Sequence, residues 1–274
     1  MTASSIDTAT NEQAKVGTAF VALLLRDMYV LRKNLREFIP RTVLQPLLLV
    51  FVFTYVFPKI GQGVGGSNGN SGFSTLLVAG VLGSVVLFQG VQSVALPMVQ
   101  EFGYTREIED RVLAPMPIEL VAVQKIVAGA IQCLLAGLIV FPIAYFVPAT
   151  KVHLTYHWLL LLTFAPLACV MAGALGLMFG TSFQPRTLPI LFGVVVVPLT
   201  FLGCVYYPWQ KLESIRWLQI VVLANPLVYM CEAFRAALTN AAHMRLIVLY
   251  PVMVAFTLFF SWRGIAGFKK RVLT

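Results

Sequence analysis

Long apolar runs alternate with short polar breaks along the chain, and the runs have the length of membrane spans. Residues 42–57, 73–99, 121–147, 155–180, 188–206 and 246–262 are almost free of charge. About 20 apolar residues in a helix cross the hydrocarbon core of a bilayer. The pattern predicts an all-α integral membrane protein with six transmembrane helices. Pro46 and Pro198 mark kinks inside spans. Tyr156 and Trp158 introduce the fourth span as interfacial aromatics.

Residues 17–39 carry a different pattern. Phe20, Leu24, Met28, Leu31, Leu35 and Phe38 recur at intervals of 4 and 3, and at 100° per residue they fall within about 80° of one another. Arg26, Arg32, Lys33 and Arg36 fall on the other side. A helix lying on a membrane surface, cations toward anionic headgroups, has this pattern. The core-facing helix of a soluble domain has it too, but no such domain follows. Residues 1–16 read as a polar tail, and Pro40 is expected to end the helix. The first apolar run, 17–25, has no small-residue cleavage site, so no signal peptide is expected.

The breaks differ in kind. Residues 59–72 are rich in Gly, Asn and Ser and read as a flexible loop. They contain a GxGxxG string, Gly61 to Gly66, but a dinucleotide site needs a strand before it and a helix after it. Residues 101–117 hold Glu101, Arg106, Glu107, Glu109, Asp110 and Arg111 and close on Pro115 and Pro117. Both charge signs suit contact with a soluble partner; an ordinary solvated loop has the same composition. Pro208 stops the fifth span. Leu212, Ile215, Leu218 and Val222 suggest a short helix, which Asn225-Pro226 breaks. Residues 227–238 form another, with Glu232 and Arg235 at i, i+3. Two short helices before a last span resemble a hairpin, 207–240, re-entering the membrane from outside. A basic tail, 263–274, ends the sequence.

Composition supports the pattern. Of 274 residues, 59% are apolar and 11% charged, against about 25% charged in soluble domains. Mean hydropathy is +0.85. Soluble enzyme, disordered chain, coiled coil and disulfide scaffold are all excluded. The net charge of +9 belongs to residues flanking spans rather than to nucleic-acid binding. Six spans put both termini on one side. That side holds Lys15, Arg26, Arg32, Lys33, Arg36, Arg41, Arg106, Arg111, Lys125, Arg186, Arg263, Lys269, Lys270 and Arg271. The other holds Lys59, Lys151, Lys211, Arg216, Arg235 and Arg245. The excess places both termini in the cytoplasm of a plasma (inner) membrane protein.

Candidate chemistry is sparse. Cys133, Cys169, Cys204 and Cys231 lie in apolar stretches without a CxxC pair and read as small buried hydrophobes; Cys204 and Cys231 share the outer side. His153 and His157 stand at i, i+4 with no further ligand to complete a metal site. The string GxxxxGK[ST] does not occur, so this chain carries no P-loop. Five spans lack ionisable groups in their central portions, where ion-coupled carriers keep them. Energy for transport is then expected from an external ATPase.

Gly203, Tyr207, Pro208, Asn225, Pro226, Leu227, Tyr229, Glu232 and Arg235 resemble the ABC-2 family of ABC-transporter permeases, whose pattern is G-x-x-Y/F-P followed by N-P-L-x-Y-x-x-E-x-x-R. Leu212-Glu213 stands where the family often has Leu-Pro. Glu101, Gly103, Thr105, Glu107, Arg111, Leu113 and Pro117 resemble its charged loop. The resemblance implies the transport subunit of an exporter, with no catalytic site or cofactor of its own. Two permease chains, identical or related, would pair, and each would engage a P-loop ATPase carrying ATP and Mg. The loop 101–117 and the surface helix would make that contact. Glu232 and Arg235 would hold the hairpin, and Gln89 and Gln92 would line the path. The cargo would be hydrophobic or amphipathic: a drug, a lipid or a lipid-linked glycan. The rival from another class is an ATP-independent channel or secondary carrier; a membrane scaffold is a third.

Overall fold

The computed structural model describes residues 3–60, 70–105, 108, 111, 116–148, 152–183, 187, 190 and 192–273. Among the described residues every regular element is helical. Apolar sequence in a bilayer has no water to satisfy its backbone, and a helix satisfies every interior N–H and C=O within itself.

Helix α1 runs Ala3–Lys33 and α2 Leu35–Phe51. Helix α2 continues through a wide turn at Val52–Val56 and one last turn, Phe57–Lys59. Helix α3, Asn70–Gln100, ends in a second wide turn, Glu101–Thr105. Helix α4 spans Ile118–Phe146 behind Pro117, and α5 spans Trp158–Ser182. Short pieces follow at Phe192–Val196 and at α6, Val197–Phe201. A tight turn, Trp209–Ser214, leads into α7, Arg216–Val221, and then α8, Pro226–Leu238. Helix α9 is Leu246–Leu273.

Among the described residues, five helices are long and apolar enough to cross a membrane: Leu35–Val56, Gly72–Gly103, Ile118–Phe146, Trp158–Ser182 and Leu246–Leu273. Helix α3 is the centre and is almost wholly buried, whereas α2 and α9 are largely exposed on the rim. Helices α4, α5 and α8 pack around α3, and α9 packs on α5. Small residues set these approaches. A Cβ on Gly90 of α3 would lie 2.3 Å from the Ala172 Cβ of α5.

The bundle has two ends. One carries the end of α1, the ends of α3, α5 and α9 and the start of α4; it is called the basic end here. The bonds from Arg271 to the carbonyls of Gly180 and Phe183, and from Lys269 to Glu119, fix it. The other carries residues 152–157, α7, α8 and the start of α9. There the amides of Thr155 and His157 donate to the Leu238 and Ala237 carbonyls.

Several expectations shift. The break between surface helix and first span falls at Asn34, and Pro40 lies inside α2. The chain still donates through the break, from Asn34 N to the Val30 and Leu31 carbonyls. Pro40 is the sixth residue of α2, past the first turn, and cannot donate to the Arg36 carbonyl one turn back; the helix continues through it all the same. Residues 3–16, expected as a polar tail, begin α1, and residues 263–273, expected as a tail, extend α9. In the expected fifth span, 188–206, the described helical residues are Ile190 and Phe192–Phe201. Helices α7 and α8, with the turn between them, form a pair bent by 97°, at the predicted Asn225-Pro226 break.

Candidate functional site

Four charges meet at the basic end. Asp27 comes from α1, Glu101 from the turn after α3, Arg111 from the charged segment and Lys125 from α4. Arg111 grips Asp27 in a two-pronged pair, Nη2 to Oδ1 at 2.9 Å and Nη1 to Oδ2 at 3.4 Å. Gln124 Nε2 donates to Asp27 Oδ2 at 2.9 Å. Glu101 Oε1 accepts from Lys125 Nζ at 2.5 Å and pairs with Arg111 Nη2 at 3.2 Å. All four side chains are 13% exposed or less. Buried charges persist where they are paired and hydrogen-bonded. The cluster therefore fastens α1 and the charged segment to two spans.

Burial works against ionisation of Asp27, but Lys125, Arg111 and Gln124 outweigh it and hold its carboxyl below the ordinary range. A carboxyl lowered in the folded state stabilises above its unfolded pKa, and that contribution is lost as pH falls through the folded value. Acidification below the ordinary carboxylate range is expected to loosen α1. Hydrogen exchange in α1 measures this, and Asp27→Asn should show faster exchange already at neutral pH.

Of the six residues expected to contact an ATPase, Glu101 and Arg111 are buried in this cluster. Arg106, Glu107, Glu109 and Asp110 lie outside the described residues. Arg26, Arg32, Lys33 and Arg36 are exposed, whereas Phe20, Leu24 and Leu31 are partly covered. Asp27 and Gln124 were not singled out from sequence. Asp27 had a signal: it stands at 3 from Leu24 and 4 from Leu31, an acid set into the apolar stripe.

Two cavities open beside the cluster and share Arg41 and Gln92 in their walls. The larger, about 520 Å³, lies between α1, α2, α3 and α4. The smaller lies deeper, against α2, α3 and Thr200 of α6. Gln89 is buried there and accepts a hydrogen bond from Thr42 Oγ1 at 3.2 Å, leaving its Nε2 without a partner.

At the opposite end, Glu232 and Arg235 are both fully buried on α8 and pair at 2.6 Å. Glu232 also accepts the backbone N–H groups of Trp209 and Met244, both at 2.9 Å. Arg235 Nη2 donates to the Cys204 carbonyl at 2.8 Å. Cys204 has φ 54°, a left-handed conformation that a non-glycine residue adopts at a cost. Asn225 caps α8 by accepting from Leu227 N, and its Nδ2 donates to the Leu199 carbonyl at 2.7 Å. Pro226 fills the first helical position. Pro208 precedes the tight turn at Trp209, and Tyr207 is half-buried. This charge pair holds four segments together.

The four cysteines are buried and free. His157 Nε2 lies 3.3 Å from Asn240 Oδ1. Among the described residues no group of His, Cys, Asp and Glu is arranged to hold a metal.

Comparison with known proteins adds a finding. A family model described as ABC-2 type transporter matches residues 18–239. The inner membrane transport permease YadH of Escherichia coli K12 is 27% identical over 230 residues, covering 80% of this chain and 84% of that protein. YadH of E. coli O157:H7 and YadH of Shigella flexneri match to the same extent.

Proposed function

We propose, because this chain belongs to the ABC-2 type transporter family, that it is the membrane-spanning half of an ATP-driven exporter. The chain is a multi-pass transport permease, not an enzyme. A separate P-loop ATPase binds ATP and Mg and docks at the basic end, which faces the cytoplasm. A second permease chain, identical or related, completes the pathway. The cargo is hydrophobic or amphipathic: a drug, a lipid or a lipid-linked glycan. The bent pair α7–α8 re-enters the membrane from the outer side.

One observation carries this reading. The charged segment is knitted by Arg111 and Glu101 to α1, α3 and α4 at one end of the bundle. A push on that segment reaches two spans and the surface helix at once. Such a joint suits a motor acting from outside the chain, whereas a self-sufficient carrier needs ionisable groups deep in its spans. A nucleotide shifts the two states of the pathway only through its different affinity for each. Gln89 and Gln92, beside cavities that open on α2 and α3, are assigned to the pathway wall.

The test is reconstitution with the ATPase that copurifies. Glu107→Lys with Glu109→Lys is expected to leave insertion intact and to cut ATP-dependent export at least 10-fold while ATP hydrolysis persists. Export unchanged in the double variant counts against the docking role of 101–117.

Orientation has its own test. The native cysteines are buried, so engineered cysteines report sides. An impermeant maleimide is expected to label Glu213→Cys on intact cells, and Arg32→Cys only after the membrane is opened. The opposite order contradicts the assignment of the basic end to the cytoplasm.

A further inference from the structure

We propose that Phe102 and Arg271 are positioning residues that tie the charged segment 101–117 to α9 and α5, so that movement of the segment is carried along α9 to the outer end. This deepens the permease reading and rests on it only for the source of the movement.

The wide turn Glu101–Thr105 is a fork. Its first residue, Glu101, reaches Lys125 and Arg111 on one side. Its second, Phe102, reaches α9. The rings of Phe102 and Phe268 meet edge to face with 5.7 Å between centroids. The Arg271 guanidinium lies over the Phe102 ring, 5.4 Å from its centroid. Phe268 is fully buried. Turns of this wide kind recur at functional sites.

Arg271 makes two kinds of contact at once. Its Nη1 and Nη2 donate to the Gly180 and Phe183 carbonyls, at 3.2 and 2.8 Å. The last carbonyls of a helix lack partners within it, and a cation is favoured at that end. Arg271 therefore closes α5. A capping role needs the carbonyls alone. The contact with Phe102 adds the turn after α3, because a planar guanidinium can bond carbonyls at its edge while its face meets a ring.

The end of α9 is seated closely on α5. A Cβ on Gly267 would lie 2.7 Å from Thr181 Oγ1, and one on Gly264 would lie 3.1 Å from the Leu177 side chain. The other end of α9 meets the outer hairpin. Glu232 of α8 accepts the Met244 amide just before α9 begins, and the rings of Tyr229 and Phe256 lie 5.7 Å apart. Helix α9 has 28 residues, about 42 Å by helical rise. One helix thus runs from the Phe102 joint to the α8 charge pair. Packed side chains and rigid helices carry coupling over such distances.

The first arm of the test uses the full chain alone in nanodiscs. Spin labels on Gly103→Cys and Ala266→Cys, both exposed positions, report the distance between the turn and α9. The native cysteines are buried and stay unlabelled. The labelled chain is expected to show one narrow distance distribution. Phe102→Leu removes the ring and leaves the carbonyl bonds of Arg271 in place; it is expected to widen the distribution at least 2-fold, and Phe102→Tyr to keep it narrow. The second arm reconstitutes unlabelled variants with the ATPase that copurifies. Export per ATP hydrolysed is expected to fall at least 5-fold in Phe102→Leu and in Arg271→Met. Phe102→Tyr should stay within 2-fold of the unaltered chain, and Arg263→Gln, exposed on α9, should match it. The Phe102→Leu, Arg271→Met double variant should be no worse than either single, as for two parts of one link. If Arg271→Met does not fold because α5 loses its cap, Phe102→Leu carries the decision. An unwidened distribution in Phe102→Leu overturns the proposal, as does export per ATP that Phe102→Leu leaves intact or Phe102→Tyr fails to keep. The first arm contains no ATPase. A widened distribution there, with no ATP-dependent export by the unaltered chain, removes the exporter reading and leaves the tie between the segment and α9 standing.

Discussion

Replacing Arg235 with methionine is expected to abolish folded protein in the membrane. Arg235 and Glu232 are completely buried and paired at 2.6 Å. Removing one partner strands the other charge, at a cost of about 3–5 kcal/mol. A whole domain is stable by only about 5–15 kcal/mol. The loss is compounded because Arg235 also holds the carbonyl of Cys204, whose φ of 54° depends on outside support. Glu232→Ala should fail for a matching reason, since it also unpairs the amides of Trp209 and Met244. Size-exclusion chromatography of a fluorescently tagged variant in mild detergent reads the outcome. Aggregate or no signal is expected for Arg235→Met. A monodisperse peak with the unaltered Tm would show that the pair does not hold the fold.

Gly90→Val is expected to be equally damaging at the centre of the bundle. Even a Cβ at Gly90 meets Ala172 at 2.3 Å from its Cβ and 2.6 Å from its backbone carbonyl carbon. Real Cβ atoms do not approach backbone so closely, so α3 and α5 must separate. Separation gives up the packing of the two most interlocked helices, and packing drives helix association in lipid. Overpacking alone costs about 1–3 kcal/mol, and here backbone cannot yield as a flexible side chain does. Gly137→Ala is the control: its Cβ meets nothing within 4 Å. Alanine is the better helix former by about 1 kcal/mol, so Tm should hold or rise slightly. Similar Tm values for the two variants would remove the close α3–α5 approach as the cause.

The parts of this fold written in local pattern were legible in the sequence. Five of the six expected spans recur as long helices, because a charge-free run has one way to satisfy its backbone in lipid. The bend at Asn225-Pro226 and the Glu232–Arg235 pair were legible because both rest on neighbours within one or two turns. Pro40 misled: α2 runs on through it despite the N–H it lacks, and the break came at Asn34 instead. Of the span expected at 188–206, the described helical residues are Ile190 and Phe192–Phe201. The charge cluster was not legible as a unit. It joins Asp27 to Arg111 and Gln124 across 84 and 97 positions, and no spacing rule reaches that far. Glu101 and Arg111 were singled out as charges for a partner, and their burial against one another needed the packed bundle.

The central claim is that an ATPase drives this permease through the basic end. The most direct measurement is a mild-detergent pull-down of the tagged chain from its native membrane, with partners identified by mass spectrometry. A P-loop ATPase recovered at near-equal amount, and lost with the Glu107→Lys, Glu109→Lys variant, is the predicted result. A stable chain that transports alone, with no ATPase in the pull-down, would contradict it and return the chain to the class of channels and secondary carriers.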